Sequence, residues 1–91
     1  MHRRERAVIL AEILIALRAR PAWGARSTTQ LAAAVNVPYD RMVLYLGVLA
    51  SNGLVRLVDR PELTSQGLAF ADKYQAWREV LLSYGLHPDQ S

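Results

Sequence analysis

The stretch that decides the fold is residues 28–64, TTQLAAAVNVPYDRMVLYLGVLASNGLVRLVDRPELT. Ser27, directly before it, and Gln30 have the spacing of a capping box. In such a box a serine oxygen and a glutamine amide satisfy free backbone groups at the start of a helix. We therefore predict a short helix from Thr28 to about Ala34, with Leu31 and Ala34 facing inward.

A second helix is predicted close behind the first. Val35-Asn36-Val37 forms a tight turn, and Pro38 stands beside the first helical position, where its missing N–H costs nothing. Asn52-Gly53 is a good left-handed helix end. The helix between them, about residues 39–51, buries Met42, Leu46 and Leu49 and faces outward with Asp40, Arg41, Leu44, Gly47, Val48 and Ser51. Two helices joined by a four-residue turn make a helix-turn-helix unit, here about residues 28–52.

A small β-hairpin is predicted directly after this unit, at about residues 54–64. Residues 54–58 alternate in polarity and contain β-branched side chains, residues 59–61 read as a turn, and residues 62–64 are a short return strand. A hairpin in this position is a wing. The predicted fold class is therefore mainly α with a small β-hairpin, a winged helix-turn-helix with a long C-terminal helix.

Two further helices flank this stretch. The first runs from about residue 3 to residue 20, ends at Pro21, and has apolar residues on more than one side, including Ile9 and Ile13. Because a domain of this size cannot easily surround such a helix, we expect part of this surface to contact a second subunit. The last helix, about residues 65–84, is capped by Thr64.

The last helix carries a seam of apolar residues at spacings of four, three, four and three: Phe70, Tyr74, Trp77, Leu81 and Tyr84. This spacing is typical of a helix that pairs with another helix. One interpretation is contact with the same helix of a second subunit, which would make it a dimerisation helix. The alternative is that the stripe packs on its own domain.

Composition limits the function classes. Ninety-one residues make one domain, residues 1–91, with a small core that dimerisation would supplement. The chain has no cysteine, and its two histidines, His2 and His87, lie near opposite ends, so we predict no metal and no cofactor. No catalytic constellation or glycine-rich phosphate loop is visible, which argues against an enzyme.

The longest apolar run, residues 7–17, is too short for a membrane span and contains Glu12. We therefore expect no membrane partner and a cytoplasmic protein. The net charge is +3 and the pI about 9.8, which favours a polyanionic partner. Lys73 is the only lysine among eleven basic residues. Arginine suits bidentate phosphate contacts, but genome composition or growth at high temperature explains its excess equally well.

Three stretches carry a resemblance to a known family: residues 28–55, residues 62–67 (ELTSQG) and residues 70–77 (FADKYQAW). Together they resemble the small archaeal winged-helix proteins, which include ArnR-like regulators and 10a-type chromatin proteins. This resemblance implies a homodimer joined through its terminal helices and bound to double-stranded DNA, as a transcriptional regulator or chromatin protein.

Carried over by position, the resemblance implies a recognition surface on the second helix of the unit and on the wing. Its candidate DNA-binding residues are Tyr39, Asp40, Arg41 and Leu44, with Arg56 and Arg60 on the wing and Arg26 beside them. Thr28 and Thr29 would offer hydroxyl and N–H groups to a phosphate. The candidate dimer contacts are Ile9, Ile13, Phe70, Tyr74, Trp77, Leu81 and Tyr84.

Other interpretations stay open at this stage. Relatives carry polar residues where Val43 and Leu44 stand, so the outward face could instead bind a protein through Leu44 and Val48. The arginines at positions 3, 4 and 6 are either a further DNA contact or ordinary surface charge. Trp23 is either a lid over the first helix or a base-stacking residue.

Overall fold

The computed structural model describes residues 4–19 and 24–87. Within them the chain forms four helices and one two-stranded antiparallel hairpin: α1 (Arg6–Arg18), α2 (Thr28–Val35), α3 (Tyr39–Ser51), β1 (Val55–Leu57), β2 (Pro61–Leu63) and α4 (Ser65–Ser83). The order of elements is the one predicted, and the fold class, a mainly helical winged helix-turn-helix, is confirmed.

The start of α2 has the predicted capping box. The backbone N–H of Gln30 donates to Ser27 Oγ at 3.2 Å, and the N–H of Ser27 donates to Gln30 Oε1 at 2.8 Å. The turn to α3 passes through Asn36, whose left-handed backbone (φ 61°, ψ 54°) suits asparagine better than other residues with a side chain. These local features fix the entry to α3.

The core lies between α1 and the helix-turn-helix unit. Met42, Leu46 and Leu49 are buried, as predicted. On α2, however, the buried residues are Leu31, Ala32 and Val35, while Ala34 is exposed, so the inward prediction for Ala34 was wrong. Residues three and four positions apart can both share a helix face. Here Leu31, Ala32 and Val35 pack inward, and Ala34 falls just outside the buried side of the helix.

Strand β1 is one residue shorter at each end than the predicted 54–58. Strand β2 begins at Pro61, one residue before the predicted start. The register of the hairpin pairs Val55 with Leu63, Arg56 with Glu62 and Leu57 with Pro61. Proline is tolerated as the first residue of a strand because no ladder N–H is required of it there. Pro61 therefore starts β2 instead of ending the turn.

Much of helix α1 is covered within its own chain, which reduces the part of its surface that could contact a second subunit. It packs against α2, α4 and β2, and its side chains Ile13 and Leu14 are 0 % exposed. Ile13 therefore belongs to the core of one chain, and its predicted role as a dimer contact was wrong. Ile9 is only partly buried against the same core.

Helix α4 begins at a junction with the wing. The Thr64 hydroxyl accepts from the N–H of Gly67 at 3.0 Å and donates to the carbonyl of Gly53 at 2.6 Å. Gly67 and Ala71 are the buried residues of this helix, which packs along α1. An ion pair between Arg18 and Asp72 links the two helices further along. In the described part of the chain, no helix combines the length and the hydropathy that a membrane crossing requires.

Candidate nucleic-acid interface

The outward face of α3 carries few charges. Tyr39, Asp40, Arg41 and Leu44 are all exposed, Leu44 at 67 %. Asp40 in the first turn is placed favourably for the positive end of the helix dipole. Arg41 is the single cation on this face, and within residues 4–19 and 24–87 it has no hydrogen-bond or ion-pair partner. The face can thus offer one arginine to a polyanion, beside a largely apolar surface.

The start of α2 offers a second group of polar atoms. Thr28 is partly exposed and Thr29 is exposed, and they are the first two residues of the helix. Their backbone N–H groups belong to the first turn, which lies at the positive end of the helix dipole. Ser27 Oγ is already used by the capping box. The two threonines are therefore the hydroxyls of this helix start that remain available.

The two wing arginines differ in their surroundings. Arg56 is exposed and, in the described part of the chain, has no hydrogen-bond or ion-pair partner. Arg60 donates through Nη1 to the carbonyl of Ala25 at 2.6 Å and lies 3.4 Å from Gln30 Oε1. Arg60 thereby ties the wing turn to the segment before α2, while Arg56 is free to meet a ligand.

Arg26 is engaged in the same neighbourhood. Its Nη1 donates to the carbonyls of Ala16 at 2.6 Å and Ala19 at 3.1 Å, at the end of α1. A cation there satisfies carbonyls that have no partner within the helix and suits the negative end of its dipole. Arg26 therefore holds the segment before α2 against α1.

Arg4 has a comparable structural role that the sequence did not reveal. It pairs with Glu12 at 2.7 Å and donates to the carbonyls of Val35 at 2.9 Å and Asn36 at 3.1 Å, at the end of α2. Of the three N-terminal arginines, Arg6 is exposed, and Arg3 lies outside the described residues, as does Trp23. The arginine at position 4 is thus a structural contact.

The wing also carries apolar side chains that the sequence analysis did not single out. Leu57 and Val58 are exposed at the end of the hairpin. The alternation of apolar and polar residues around Arg56 indicated a strand. Which face of the hairpin is exposed, and with it Leu57, depends on how the hairpin packs on the domain. The wing surface therefore combines one free cation with an apolar tip.

The seam of α4 lies largely at the surface of the single chain. Phe70, Trp77 and Tyr84 are exposed, at 44 %, 49 % and 79 %, whereas Tyr74 and Leu81 are partly buried. The rings of Tyr74 and Trp77 pack with centroids 5.5 Å apart and planes at 45°. Within one chain this seam, called the α4 strip below, is only half covered.

In residues 4–19 and 24–87, no three metal-ligating side chains come together.

Comparison with known proteins agrees with this architecture. The Mycobacterium tuberculosis transcriptional regulator MosR (Rv1049), in complex with DNA, is similar with a TM-score of 0.70 and 27 % identity over 81 % of this chain and 60 % of its own. The M. tuberculosis MarR family protein Rv2887 is similar with a TM-score of 0.66 and 27 % identity, covering 76 % of this chain and 51 % of its own.

The chain thus spans between half and three fifths of the length of these structures. No curated protein sequence matches it. The sequence model of the winged helix-turn-helix family matches residues 3–82, which include all four helices and the hairpin except the last residue of α4. The chain therefore belongs to the winged helix-turn-helix family.

Proposed function

We propose that this protein is a non-enzymatic, cytoplasmic transcriptional regulator that binds double-stranded DNA as a homodimer. Each subunit is one winged-helix domain. The observation that carries the proposal is the pair of partner-free arginines, Arg41 on α3 and Arg56 on the wing, within a fold similar to that of a regulator crystallised with DNA.

In this proposal α3 lies in the major groove and the wing lies beside it. Arg41 and Arg56 bind phosphates, and Thr28 and Thr29 add hydroxyl and N–H groups at the start of α2. Leu44 meets a thymine methyl group, with Tyr39 and Asp40 beside it. Arg26 and Arg60 contribute to the interface indirectly. Arg26 holds the segment before α2 in place, and Arg60 holds the wing in place.

This interface reads base sequence weakly. Arg41 is its single cation on α3, and an aliphatic Leu44 discriminates bases less than a bidentate side chain does. Binding is therefore dominated by the phosphate backbone. Weak sequence preference fits the resemblance to archaeal 10a-type chromatin proteins, and we extend the proposal to a chromatin-associated role of that kind.

A second copy of the chain is proposed to cover the α4 strip formed by Phe70, Tyr74, Trp77, Leu81 and Tyr84. Its near-heptad spacing and half-exposed aromatic rings support a helix pair. Ile9 at the edge of α1 is the remaining candidate contact. A two-fold dimer would present two α3 helices to half-sites about one helical turn, or a multiple of it, apart.

The test is titration of a labelled random-sequence duplex at several salt concentrations, followed by fluorescence anisotropy. Each phosphate contact contributes about −0.9 to the slope of log K against log salt, so two free arginines per subunit predict a slope of about −4. Arg56→Gln removes two contacts from the dimer and should reduce the slope by about 2. Arg6→Gln removes the same charge at the start of α1 and should leave the slope near that of the wild type.

One observation favours a second candidate function, a protein-binding module. The α3 face exposes Tyr39, Val43 and Leu44, a combination that suits a protein groove as well as DNA. Val48, which the sequence analysis named with Leu44 for this role, is only partly exposed. In this case the chain would bind no duplex at low salt. A flat anisotropy titration would therefore reject the DNA proposal and support the module.

A further inference from the structure

Arg4 joins the start of α1 to the turn between α2 and α3. Its Nη1 donates to Glu12 Oε1 at 2.7 Å and to the carbonyl of Val35 at 2.9 Å, and its Nη2 donates to the carbonyl of Asn36 at 3.1 Å. Val35 is the last residue of α2, and Asn36 is the first residue of the turn. One guanidinium thus holds three acceptors from two parts of the fold. These three hydrogen bonds are called the Arg4 clamp below.

The clamp supplies what the end of α2 lacks. The N–H groups of Asn36 and Val37 donate to carbonyls in the last turn of α2 at 3.2 and 2.9 Å, so the backbone satisfies two acceptors by itself. The carbonyls of Val35 and Asn36 lie beyond these bonds, and the last turn of α2 contains no basic residue. A cation is favourable at this negative end of the helix dipole. Arg4 provides both the donors and the positive charge from outside the helix.

The position of this turn bears directly on α3. The helix begins at Tyr39, three residues after Asn36, and its first buried side chain is that of Met42. Within residues 4–19 and 24–87, Arg4 is the one side chain that hydrogen-bonds to the backbone of residues 35–38. A recognition helix contacts DNA mainly through its N-terminal residues. The Arg4 clamp therefore acts at the end of α3 that the proposed DNA interface uses.

We propose that Arg4 is a positioning residue for DNA binding, an inference that rests on the proposed function. Through the clamp it holds the turn and the start of α3 in one orientation to α1, and it does not itself bind DNA. Three acceptors occupy its guanidinium and its side chain is only 27 % exposed, so little of it is available to a phosphate. The planar fork of arginine holds several acceptors in a fixed geometry, which the single ammonium of lysine does not reproduce.

A second ion pair of α1 provides a matched control. Arg18, at the opposite end of this helix, pairs with Asp72 of α4, and its side chain is exposed to a similar extent, 32 %. Arg18→Gln therefore removes the same charge and one ion pair of the same helix, but it leaves the Arg4 clamp intact. Differences between Arg4→Gln and Arg18→Gln report on the clamp itself.

The first test measures the turn without DNA, by amide hydrogen exchange of the full chain followed by NMR. The amides of Val37 and Met42 close the turn and the first turn of α3. Arg4→Gln should accelerate their exchange about tenfold more than that of the core amides of α1, because the lost bonds open the turn locally. Arg18→Gln should show no such local excess. Uniform acceleration in Arg4→Gln, or none at these two amides, would overturn the proposal, because Arg4 would then contribute at most to overall stability.

The second test measures binding of a random-sequence duplex by fluorescence anisotropy at several salt concentrations. Arg4→Gln should raise the Kd about fivefold, because only a fraction of the molecules then holds α3 in the binding orientation. The slope of log K against log salt should stay near that of the wild type, because no phosphate contact is lost. Arg4→Lys keeps the charge and should recover only part of the affinity, and Arg18→Gln should bind like the wild type.

The outcomes separate this inference from the proposed function. A reduced slope for Arg4→Gln, or full recovery by Arg4→Lys, would mean that the charge of Arg4 acts on DNA, and would reject the positioning role. Unchanged affinity despite faster exchange at the turn would reject it as well, and so would equal losses in Arg4→Gln and Arg18→Gln. A wild-type chain that binds no duplex would reject the DNA function and with it the role of Arg4 in DNA binding. The exchange result would still decide whether the clamp holds the turn.

Discussion

At the scale of single residues, glycine at position 67 is required by the close approach of α4 to the chain that enters the wing. A Cβ atom at position 67 would lie 2.0 Å from the carbonyl oxygen of Leu54, which is backbone and cannot move aside as a flexible side chain could. A second glycine within a helix, Gly47, has no atom within 4 Å of such a Cβ. The same substitution should thus have opposite effects at these two positions.

Gly67→Ala should lower the free energy of unfolding by about 2 kcal/mol, because the methyl group overpacks a fixed backbone contact. Gly47→Ala should raise it by up to about 1 kcal/mol, because alanine loses less conformational freedom in a helix than glycine does. Urea denaturation followed by circular dichroism measures both values. If Gly67→Ala were as stable as Gly47→Ala, the junction between Leu54 and α4 would be looser than described.

At the scale of elements, the helix-turn-helix and the wing could be predicted because their signals are local. The capping box at Ser27 and Gln30, the proline at position 38 and the Asn52-Gly53 pair each act on neighbouring residues. What could not be predicted is how elements far apart in sequence meet. Arg60 reaches the carbonyl of Ala25, 35 residues away, and the sequence alone gave no reason to separate it from Arg56.

This difference between the wing arginines predicts two kinds of defect in DNA binding. Arg56→Gln should reduce both the affinity and its salt dependence, because a phosphate contact is lost. Arg60→Gln should reduce the affinity while leaving the slope close to that of the wild type, because Arg60 positions the wing through Ala25. Anisotropy titrations over a range of salt concentrations separate the two. A reduced slope for Arg60→Gln would mean that Arg60 itself binds phosphate.

At the scale of the whole molecule, a single chain buries more of its own apolar side chains than the sequence suggested. Part of the apolar surface of α1 was interpreted as contact for a partner, but α2, α4 and β2 bury Ile13 completely and leave Ile9 only partly exposed. Apolar periodicity indicates that a side chain is covered, not which element covers it. The α4 strip is different, because its aromatic rings remain half exposed in one chain.

Dimerisation through the α4 strip predicts a dependence of stability on protein concentration. Trp77→Ala should shift sedimentation equilibrium toward the monomer and remove the rise of Tm with concentration that an associating protein shows. Leu68→Ala truncates a similarly exposed residue of the same helix, 44 % against 49 %, on another side, and should leave the association unchanged. A wild-type monomer at all concentrations would contradict the strip as a dimer contact.

The hydroxyl of Thr64 has a consequence for how this hairpin can vary. It joins the carbonyl of Gly53 to the first turn of α4. The N–H of Thr64 also donates to the carbonyl of Leu54 at 3.2 Å. These hydrogen bonds close the base of the hairpin without any contact from its tip. Surface loops tolerate added length at small entropic cost. Residues inserted between Val58 and Asp59 would therefore lengthen the hairpin. The junction between the base of the hairpin and α4 would keep its structure.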